Sequence, residues 1–229
     1  MDALGAYGSD CRVLCIHFAT SEQLRSRRVV SRSRARPTGK YPSWKMGRML
    51  QWESLNELNA FRLLDCDPDV TAFVEQPCEI LYLDDGQLRK HYPDIYVEKG
   101  SIRELWEVKS EFSALQGELS KRTDVLTRGL AAYGFTYRVV LASELRQEPR
   151  LQNAKTILRF GRRMTNDDDR EYVQRVLKKD HRISWADACN GRFGSRGRKT
   201  VCYLVLQGIV SLEMDSPLNA TSQFLKRKE

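Results

Sequence analysis

The feature that most constrains this chain is a run of β-rich stretches, separated by turn residues, between positions 70 and 109. VTAFVEQPCEILYL is rich in β-branched and aromatic residues, and the Asp-Asp-Gly of residues 84–86 follows it as a hairpin turn. KHYPDIYVE and IRELWEVKS continue the pattern as two strands on either side of a Lys-Gly-Ser turn. Because a short turn joins antiparallel strands, the sequence predicts a sheet in the middle of the chain.

Helical patterns surround these strands. Leu55, Leu58, Phe61 and Leu64 recur at helical spacing before CDPDV ends the segment. A second helical stretch, LQGELSKRTDVLTRGLAAYG, stops at Gly134, and the strand FTYRVVLAS follows it. The order helix, strands, helix, strand predicts a compact α/β domain over residues 37–148.

A second domain is expected over residues 149–229, where the composition shifts. Two helices are predicted for RLQNAKTILRFGR and DDDREYVQRVLKKD. A short helix capped by Ser184 is predicted for SWADACNG. A basic helix is predicted for SRGRKTVCYLVLQG, before a short strand and turn. Helix, short helix, basic helix and hairpin is the order of a winged helix, and a generic helical cap on the first domain is the alternative. Residues 1–36 are polar and Arg-rich, which predicts a flexible basic arm.

Charge is distributed unevenly along the 229 residues. Residues 1–50 carry a net charge of +7, residues 51–149 of −7 and residues 150–229 of +8, which leaves +8 for the chain. Basic flanks favour a polyanionic partner such as nucleic acid. An acidic middle repels phosphate unless a divalent cation bridges the two. Ordinary solvated faces are the alternative for either flank alone.

Cysteine usage and hydropathy indicate in which cellular environment the protein is expected to work. The six cysteines show no paired Cys-x-x-Cys spacing, so reduced cytosolic thiols are expected and a zinc site is not. Cys11, Cys15 and His17 lie near one another in sequence but lack a fourth ligand. No apolar run approaches the roughly 20 residues that span a membrane, so we expect no membrane partner.

Two carboxylates and a lysine lie on the two strands that flank the Lys-Gly-Ser turn. Glu107 and Lys109 are two residues apart on one strand and so point to the same side. Asp94 follows a proline early on the preceding strand, close enough to converge with them. Two carboxylates suit magnesium, with manganese as a substitute, and a lysine beside them can stabilise the negative charge that develops on a phosphate. The pattern is that of PD-(D/E)xK nucleases, although it is short and also arises by chance.

Additional residues in sequence order give a more specific resemblance. The chain resembles the TnsA family, the endonuclease subunits of heteromeric cut-and-paste transposases, over about residues 36–145. The resemblance is carried by the series GKYPSWKMGRMLQWESLNEL, DPDVTAFVEQP, YPDIYVE and WEVK. The resemblance implies a restriction-endonuclease-like core, a mixed sheet flanked by helices, followed by a small winged-helix domain. It also implies that Glu57, Asp94, Glu107 and Lys109 form the active site, with the three carboxylates holding the metal. Leu58-Asn59 replaces the Arg-Asp that often follows the first glutamate in the family.

The resemblance further implies an activity and partners. A protein similar to TnsA would nick double-stranded DNA at the 5′ ends of a transposon, beside a TnsB-like transposase and a TnsC-like ATPase in the bacterial cytoplasm, associated with the nucleoid. The basic residues that we expect to contact DNA are Lys40, Lys45, Arg48, Arg196, Arg198 and Lys199. A stand-alone restriction or repair nuclease on the same core, and a catalytically idle DNA-binding or assembly module, are the alternatives.

Several of these residues also have structural interpretations. Ser54-x-x-Glu57 is equally a capping box, in which the glutamate only reaches back to the first turn of the helix. Gln76 and Trp106 are expected to serve packing or backbone hydrogen bonding. His91 is expected to face solvent from its strand.

Overall fold

The computed structural model describes residues 11–19, 37–114 and 117–227, with the side chains of residues 113–119 left out. The chain divides into two compact units. The first unit contains residues up to Lys40, Leu50–Glu57 and Ala72–Glu144, and the second contains Tyr41–Met49, Leu58–Thr71 and Leu145–Glu229. The sequence assigned residues 41–49 and 58–71 to the first domain, whereas in the structure they pack within the second unit.

The strands and helices alternate along most of the chain. In chain order they are β1 (Arg12–Phe18), β2 (Gly39–Pro42), β3 (Met49–Trp52), α1 (Leu55–Cys66), β4 (Val70–Glu75), β5 (Cys78–Asp84), β6 (Gln87–His91), β7 (Ile95–Lys99), β8 (Ile102–Lys109), α2 (Glu111–Ala114), α3 (Gly117–Ala131), β9 (Thr136–Leu141), α4 (Ala142–Leu145), α5 (Arg150–Gly161), α6 (Asp167–Asp180), β10 (Arg182–Ser184), α7 (Trp185–Cys189), α8 (Gly197–Leu206), β11 (Val210–Leu212) and β12 (Gln223–Lys226). Within the described ranges, no helix is both long and apolar enough to cross a membrane.

The first unit contains a mixed sheet. Its strand order is β4-β7-β8-β9, with β7 and β8 antiparallel and β8 and β9 parallel. A second sheet, β1-β5-β6, is antiparallel, and α3 packs against β9 and β1. The predicted combination of α and β elements, with a mixed sheet flanked by helices, is confirmed.

The hairpin turns agree with the sequence. Asp85 and Gly86 join β5 to β6 with φ angles of +50° and +76°, the backbone conformation that a tight two-residue hairpin requires. The pairing of Ile95 with Trp106 and of Lys99 with Ile102 closes the β7–β8 hairpin around the predicted turn. The register of β7 and β8 determines which side chains of the two strands meet.

Residues 12–18 correct the prediction of a flexible arm. RVLCIHF is a strand, β1, which pairs antiparallel with β5 from Phe18 opposite Cys78 to Arg12 opposite Leu83. Val13 packs into the core beneath α3, where a Cβ on Gly129 would lie 2.4 Å from Val13 Cγ2. The remainder of the predicted arm, residues 1–10 and 20–36, lies outside the described residues.

The second unit combines helices with a small antiparallel sheet. The strand order is β10-β12-β11, and α5, α6 and α7 all pack on α8. Ser184 caps α7 as predicted, in a reciprocal capping box with Asp187. A Cβ on Gly161 would lie 2.7 Å from the backbone of Cys202, so glycine permits the close approach of α5 to α8. As a result, α8 is buried throughout from Thr200 to Leu206.

A buried aspartate organises the segment 41–49. Asp65, near the end of α1, is 1% exposed. Its Oδ1 accepts hydrogen bonds from Ser43 Oγ (2.7 Å) and Lys45 N (3.1 Å), and its Oδ2 from Tyr41 Oη (2.7 Å) and Trp44 N (3.0 Å). A buried charge with four donors is well compensated, so this carboxylate fixes the loop between β2 and β3.

Replacing Asp65 by asparagine should lower the free energy of unfolding by about 2–3 kcal/mol, the usual cost of hydrogen bonds to a charged buried group. Each oxygen of Asp65 faces one hydroxyl, which can rotate, and one backbone N–H, which cannot. The new amide NH₂ would therefore oppose a backbone N–H in either orientation. Urea unfolding monitored by circular dichroism measures the difference.

Asp168→Asn, at an exposed position of α6, is the matched control. It should change the free energy of unfolding by less than about 1 kcal/mol, since it removes only a helix-dipole interaction. Equal urea midpoints for the Asp65 and Asp168 variants would show that the four hydrogen bonds contribute little to stability.

Candidate metal centre

Asp94 is held at the start of β7 by the backbone of β8. Asp94 N donates to Trp106 O at 2.9 Å, and Val108 N donates to Asp94 Oδ2 at 2.7 Å. Pro93 precedes it and cannot continue the strand ladder, since proline has no N–H. The Asp94 side chain is thereby placed beside residues 107–109 of the neighbouring strand.

Glu107 and Lys109 lie on β8, on either side of Val108, whose N–H binds Asp94. Glu107 is 3% exposed, and Lys109 Nζ lies 2.7 Å from Glu107 Oε1. Lys109 is partly exposed, with its side chain at 30%. The acid, acid and lysine predicted from the two strands therefore lie together in the first unit.

Glu57 lies in the first turn of α1, within the same unit. Its Oε1 accepts from Ser54 Oγ at 2.8 Å, its Oε2 accepts from Glu53 N at 2.9 Å, and Glu57 N donates to Ser54 Oγ at 3.2 Å. The capping arrangement is thus present. Glu57 also interacts electrostatically with Asp94 and with Lys109, so the same carboxylate belongs to the acidic cluster.

Gln76 links Glu53 to the Asp94 segment. Its side-chain Nε2 donates to Glu53 Oε1 at 3.0 Å, and its backbone N–H donates to Asp94 O at 2.9 Å. Its φ of +45° is unusual for a residue with a side chain. The sequence predicted backbone pairing in the core for Gln76, and the structure adds a hydrogen bond to the acidic segment before α1.

His91 corrects the expectation of a solvent-facing histidine. It is 6% exposed, and its Nε2 lies 3.3 Å from Glu107 Oε2 and 3.0 Å from Tyr137 Oη. Arg122, from α3, donates from Nη2 to Glu107 Oε1 at 3.0 Å. His91 is the buried last residue of β6, a strand whose other four residues are exposed. Alternation in the sequence does not reveal such a pattern. Trp106 is buried, as expected.

The three carboxylates have different electrostatic environments. Desolvation, followed by the charges of Glu107 and Glu57, raises the pKa of Asp94 well above its ordinary value. Desolvation also raises the pKa of Glu57. Burial acts in the same direction on Glu107, but contact with His91 and Lys109 outweighs it and lowers the pKa of that carboxyl. Glu107 is therefore the readily ionised member of the cluster.

These carboxylates are oxygen donors of the kind that a hard divalent cation takes. The described trio whose ligand atoms lie within 4.8 Å of one another is Cys11, Asp84 and Asp85, so Glu57, Asp94 and Glu107 would have to draw closer around an ion. Glu107 Oε2 is buried; His91 Nε2 lies 3.3 Å from it, without the geometry of a hydrogen bond among the residues that the structure describes. Burial first, and neighbouring carboxylate charges second, disfavour ionisation of Asp94 and Glu57; a cation bound by them would favour their ionised forms. Oxygen ligands from Glu57, Asp94 and Glu107 are the donor set that magnesium prefers.

Three of the six expected DNA contacts lie before α1. Lys40 is exposed on β2. Lys45 is half-buried, and its Nζ donates to Asp67 O (2.5 Å) and Val70 O (2.6 Å), which gives it a structural role in the second unit. Arg48 is half-buried, with Nη1 3.4 Å from Met49 O.

The other three lie at the start of α8. Arg196 pairs with Asp169 at 3.0 Å, and the Arg198 guanidinium lies 4.9 Å from the centre of the Phe160 ring. Arg196 and Arg198 are exposed and Lys199 is half-buried. The basic turn predicted from the sequence is thus accessible, although the rest of its helix is not.

A separate group of potential ligands lies at the β5–β6 turn. Cys11, Asp84 and Asp85 bring ligand atoms within 4.8 Å of one another. Asp85 N donates to Cys11 Sγ at 3.3 Å, which ties the thiol to the turn itself. Cys15 and His17, which the sequence placed near Cys11, do not belong to this group. All six cysteines lie in the described part of the chain, where none of them forms a disulfide bond.

Comparison of the whole sequence with protein-family models and with curated proteins found no match.

Asp94→Asn should stabilise the metal-free protein. Asparagine can still accept from Val108 N, but it removes a charge that burial, Glu107 and Glu57 disfavour. We expect a rise in Tm of about 2–4 °C, which corresponds to about 1 kcal/mol for a chain of this size. The measurement is thermal unfolding in a chelating buffer.

Two comparisons support the interpretation of that result. The gain should shrink as the pH falls through the raised pKa of Asp94, and it should vanish below the pKa of the unfolded chain, where both states carry the uncharged carboxylic acid. Asp124→Asn, at an exposed site on α3, should leave Tm within about 1–2 °C. A lower Tm for Asp94→Asn would mean that the ionised carboxylate stabilises the fold.

Proposed function

We propose that the chain is a metal-dependent DNA endonuclease, a transposase subunit similar to TnsA that cuts at the 5′ ends of a transposon. The observation that carries the proposal is the convergence of Glu57, Asp94, Glu107 and Lys109 in one unit. Burial and neighbouring charge disfavour the ionisation of Asp94 and Glu57 beside the ionised Glu107, and active sites are where such destabilising arrangements persist.

Each residue of the cluster has a role in phosphodiester hydrolysis. Glu57, Asp94 and Glu107 would hold magnesium or manganese. When bound, the metal would supply a more acidic water and would neutralise phosphate charge. Lys109, fixed by Glu107 and open to solvent on one side, would donate to the attacking water or to a phosphate oxygen and so stabilise developing negative charge.

The second unit supports a DNA partner. Its element order from α6 to β12, with the sheet order β10-β12-β11, is compatible with a winged helix, and the exposed Arg196 and Arg198 precede or begin α8. The net charge of +8 on residues 150–229 favours a polyanion. A TnsB-like transposase would cut the opposite strands, and a TnsC-like ATPase would be a further partner.

Lys109→Ala should abolish nicking and leave DNA binding nearly intact. Removing a donor that acts on developing charge typically costs on the order of 10²–10³ in rate. The assay is magnesium-dependent nicking of transposon-end duplexes, with and without the partner transposase, beside an electrophoretic measurement of DNA affinity.

Lys99→Ala is the matched control, because Lys99 lies at the turn end of the β7–β8 hairpin, away from Lys109. It should nick at the wild-type rate. Wild-type cutting by Lys109→Ala would remove the lysine from the site. Nicking of any duplex without the transposase would favour a stand-alone nuclease, and DNA binding without nicking under every condition would favour an idle assembly module.

Glu57→Gln should lose nicking and weaken metal binding, whereas Glu53→Gln should keep most activity. Glutamine can replace Glu57 in the capping arrangement, accepting from Glu53 N and donating to Ser54 Oγ, so the fold should persist. It cannot replace a carboxylate toward magnesium. Magnesium titrations of nicking, with Tm as the folding check, compare the two variants. An active Glu57→Gln enzyme would limit Glu57 to capping.

A further inference from the structure

Two cations contact one oxygen of the buried Glu107 carboxylate. Lys109 Nζ lies 2.7 Å from Glu107 Oε1, and Arg122 Nη2 lies 3.0 Å from the same atom. The Glu107 side chain is 4% exposed, while those of Arg122 and Lys109 are 28% and 30% exposed. Both cations therefore reach the buried carboxylate from positions with access to solvent.

The two cations are tethered differently. Lys109 lies two residues from Glu107 on β8, so the strand itself holds the pair together. Arg122 extends from α3, a separate element, on a long side chain. Arg122 Nε is buried, and among the residues that the structure describes it has no hydrogen-bond partner. Arg122 also contacts the hydroxyl of Tyr137, on β9, so its movement away from Glu107 would require a side-chain rearrangement but no change in the strand backbones.

A guanidinium at Glu107 and a divalent cation at the same carboxylate oppose each other. Like charges a few ångströms apart repel strongly in a partly buried site. A cation bound by Glu57, Asp94 and Glu107 would therefore weaken the pair between Arg122 and Glu107. Once released, a guanidinium offers a planar fork of donors that matches two oxygens of a phosphate.

We propose that Arg122 is an exchangeable counter-ion: it pairs with Glu107 in the metal-free protein, and it binds the phosphate of the DNA strand once Glu107 holds a divalent cation. The inference rests on the proposed function, since it requires a metal at Glu107 and a nucleic-acid ligand. It makes metal binding and DNA binding thermodynamically coupled, each strengthening the other.

The first arm of the test is titration of Mn²⁺ into the full chain without DNA, measured by calorimetry. Arg122→Gln keeps a side chain that can donate to Glu107 but removes the competing charge, so Mn²⁺ should bind about tenfold more tightly than to the wild type. Arg122→Lys keeps the charge and should bind Mn²⁺ within about threefold of the wild type. Arg128→Gln, at an exposed site on the same helix, should match the wild type.

The second arm measures duplex DNA affinity with chelator and with Ca²⁺, the probe cation for binding. In the wild type and in Arg128→Gln, Ca²⁺ should strengthen DNA binding. In Arg122→Gln the gain in DNA affinity should fall by about tenfold, because this variant has no guanidinium that could bind the phosphate. Arg122→Lys should show an intermediate gain, since a lysine supplies charge without the fork.

The outcomes separate the inference from the function beneath it. Unchanged or weaker Mn²⁺ binding by a folded Arg122→Gln protein, or a Ca²⁺-dependent gain equal to that of the wild type, would make Arg122 a purely structural partner of Glu107. If Arg122→Gln does not fold, a Ca²⁺-dependent gain in Arg122→Lys equal to that of the wild type overturns the proposal. Failure of the proposed function would give a different result. The wild-type protein would then bind no Mn²⁺, or it would bind Mn²⁺ in a way that Asp94→Asn does not abolish.

Discussion

The hydrogen bond from Val108 N to Asp94 Oδ2 is the interaction on which the candidate site depends. It fixes an acidic side chain from one strand against the neighbouring strand, between the positions of Glu107 and Lys109. Without it, the backbone of Asp94 would still be held by Trp106 O and Gln76 N, but nothing on β8 would orient its carboxylate. The β7–β8 register thus turns a spacing in sequence into a cluster in space.

The cost of that cluster is electrostatic. Burial raises the pKa values of Asp94 and Glu57, and the charges of Glu107 and Glu57 add to the rise at Asp94, while Glu107 remains ionised through its contacts with His91 and Lys109. A fold selected for stability alone would replace one of these carboxylates, since paired or neutral groups are cheaper to bury. Under the proposed function, the arrangement would be preorganisation for a cation, whose charge would favour the ionised forms of these ligands.

The sequence predicted those parts of the molecule that local patterns encode. The hairpins, the cap at Ser184 and the same-side placement of Glu107 and Lys109 follow from turn chemistry and strand alternation. Strand β1 was missed because the Arg-rich stretch that follows it dominated the composition of the segment, and because the partner of this seven-residue run lies about sixty residues away. Arg122 and His91 reach Glu107 from other elements, and the carbonyl partners of Lys45 are likewise non-local, so no spacing rule could assign them.

The burial of α8 has a geometric consequence for how this chain could read DNA. From Thr200 onward the helix is enclosed, which leaves Arg196 to Lys199 as its accessible end. Four residues span about 6 Å of helix axis at 1.5 Å per residue. Successive base pairs are about 3.4 Å apart. If α8 entered a DNA groove as proposed, a tip this short would touch about two base-pair steps, so any longer sequence would have to be read by surfaces other than this helix.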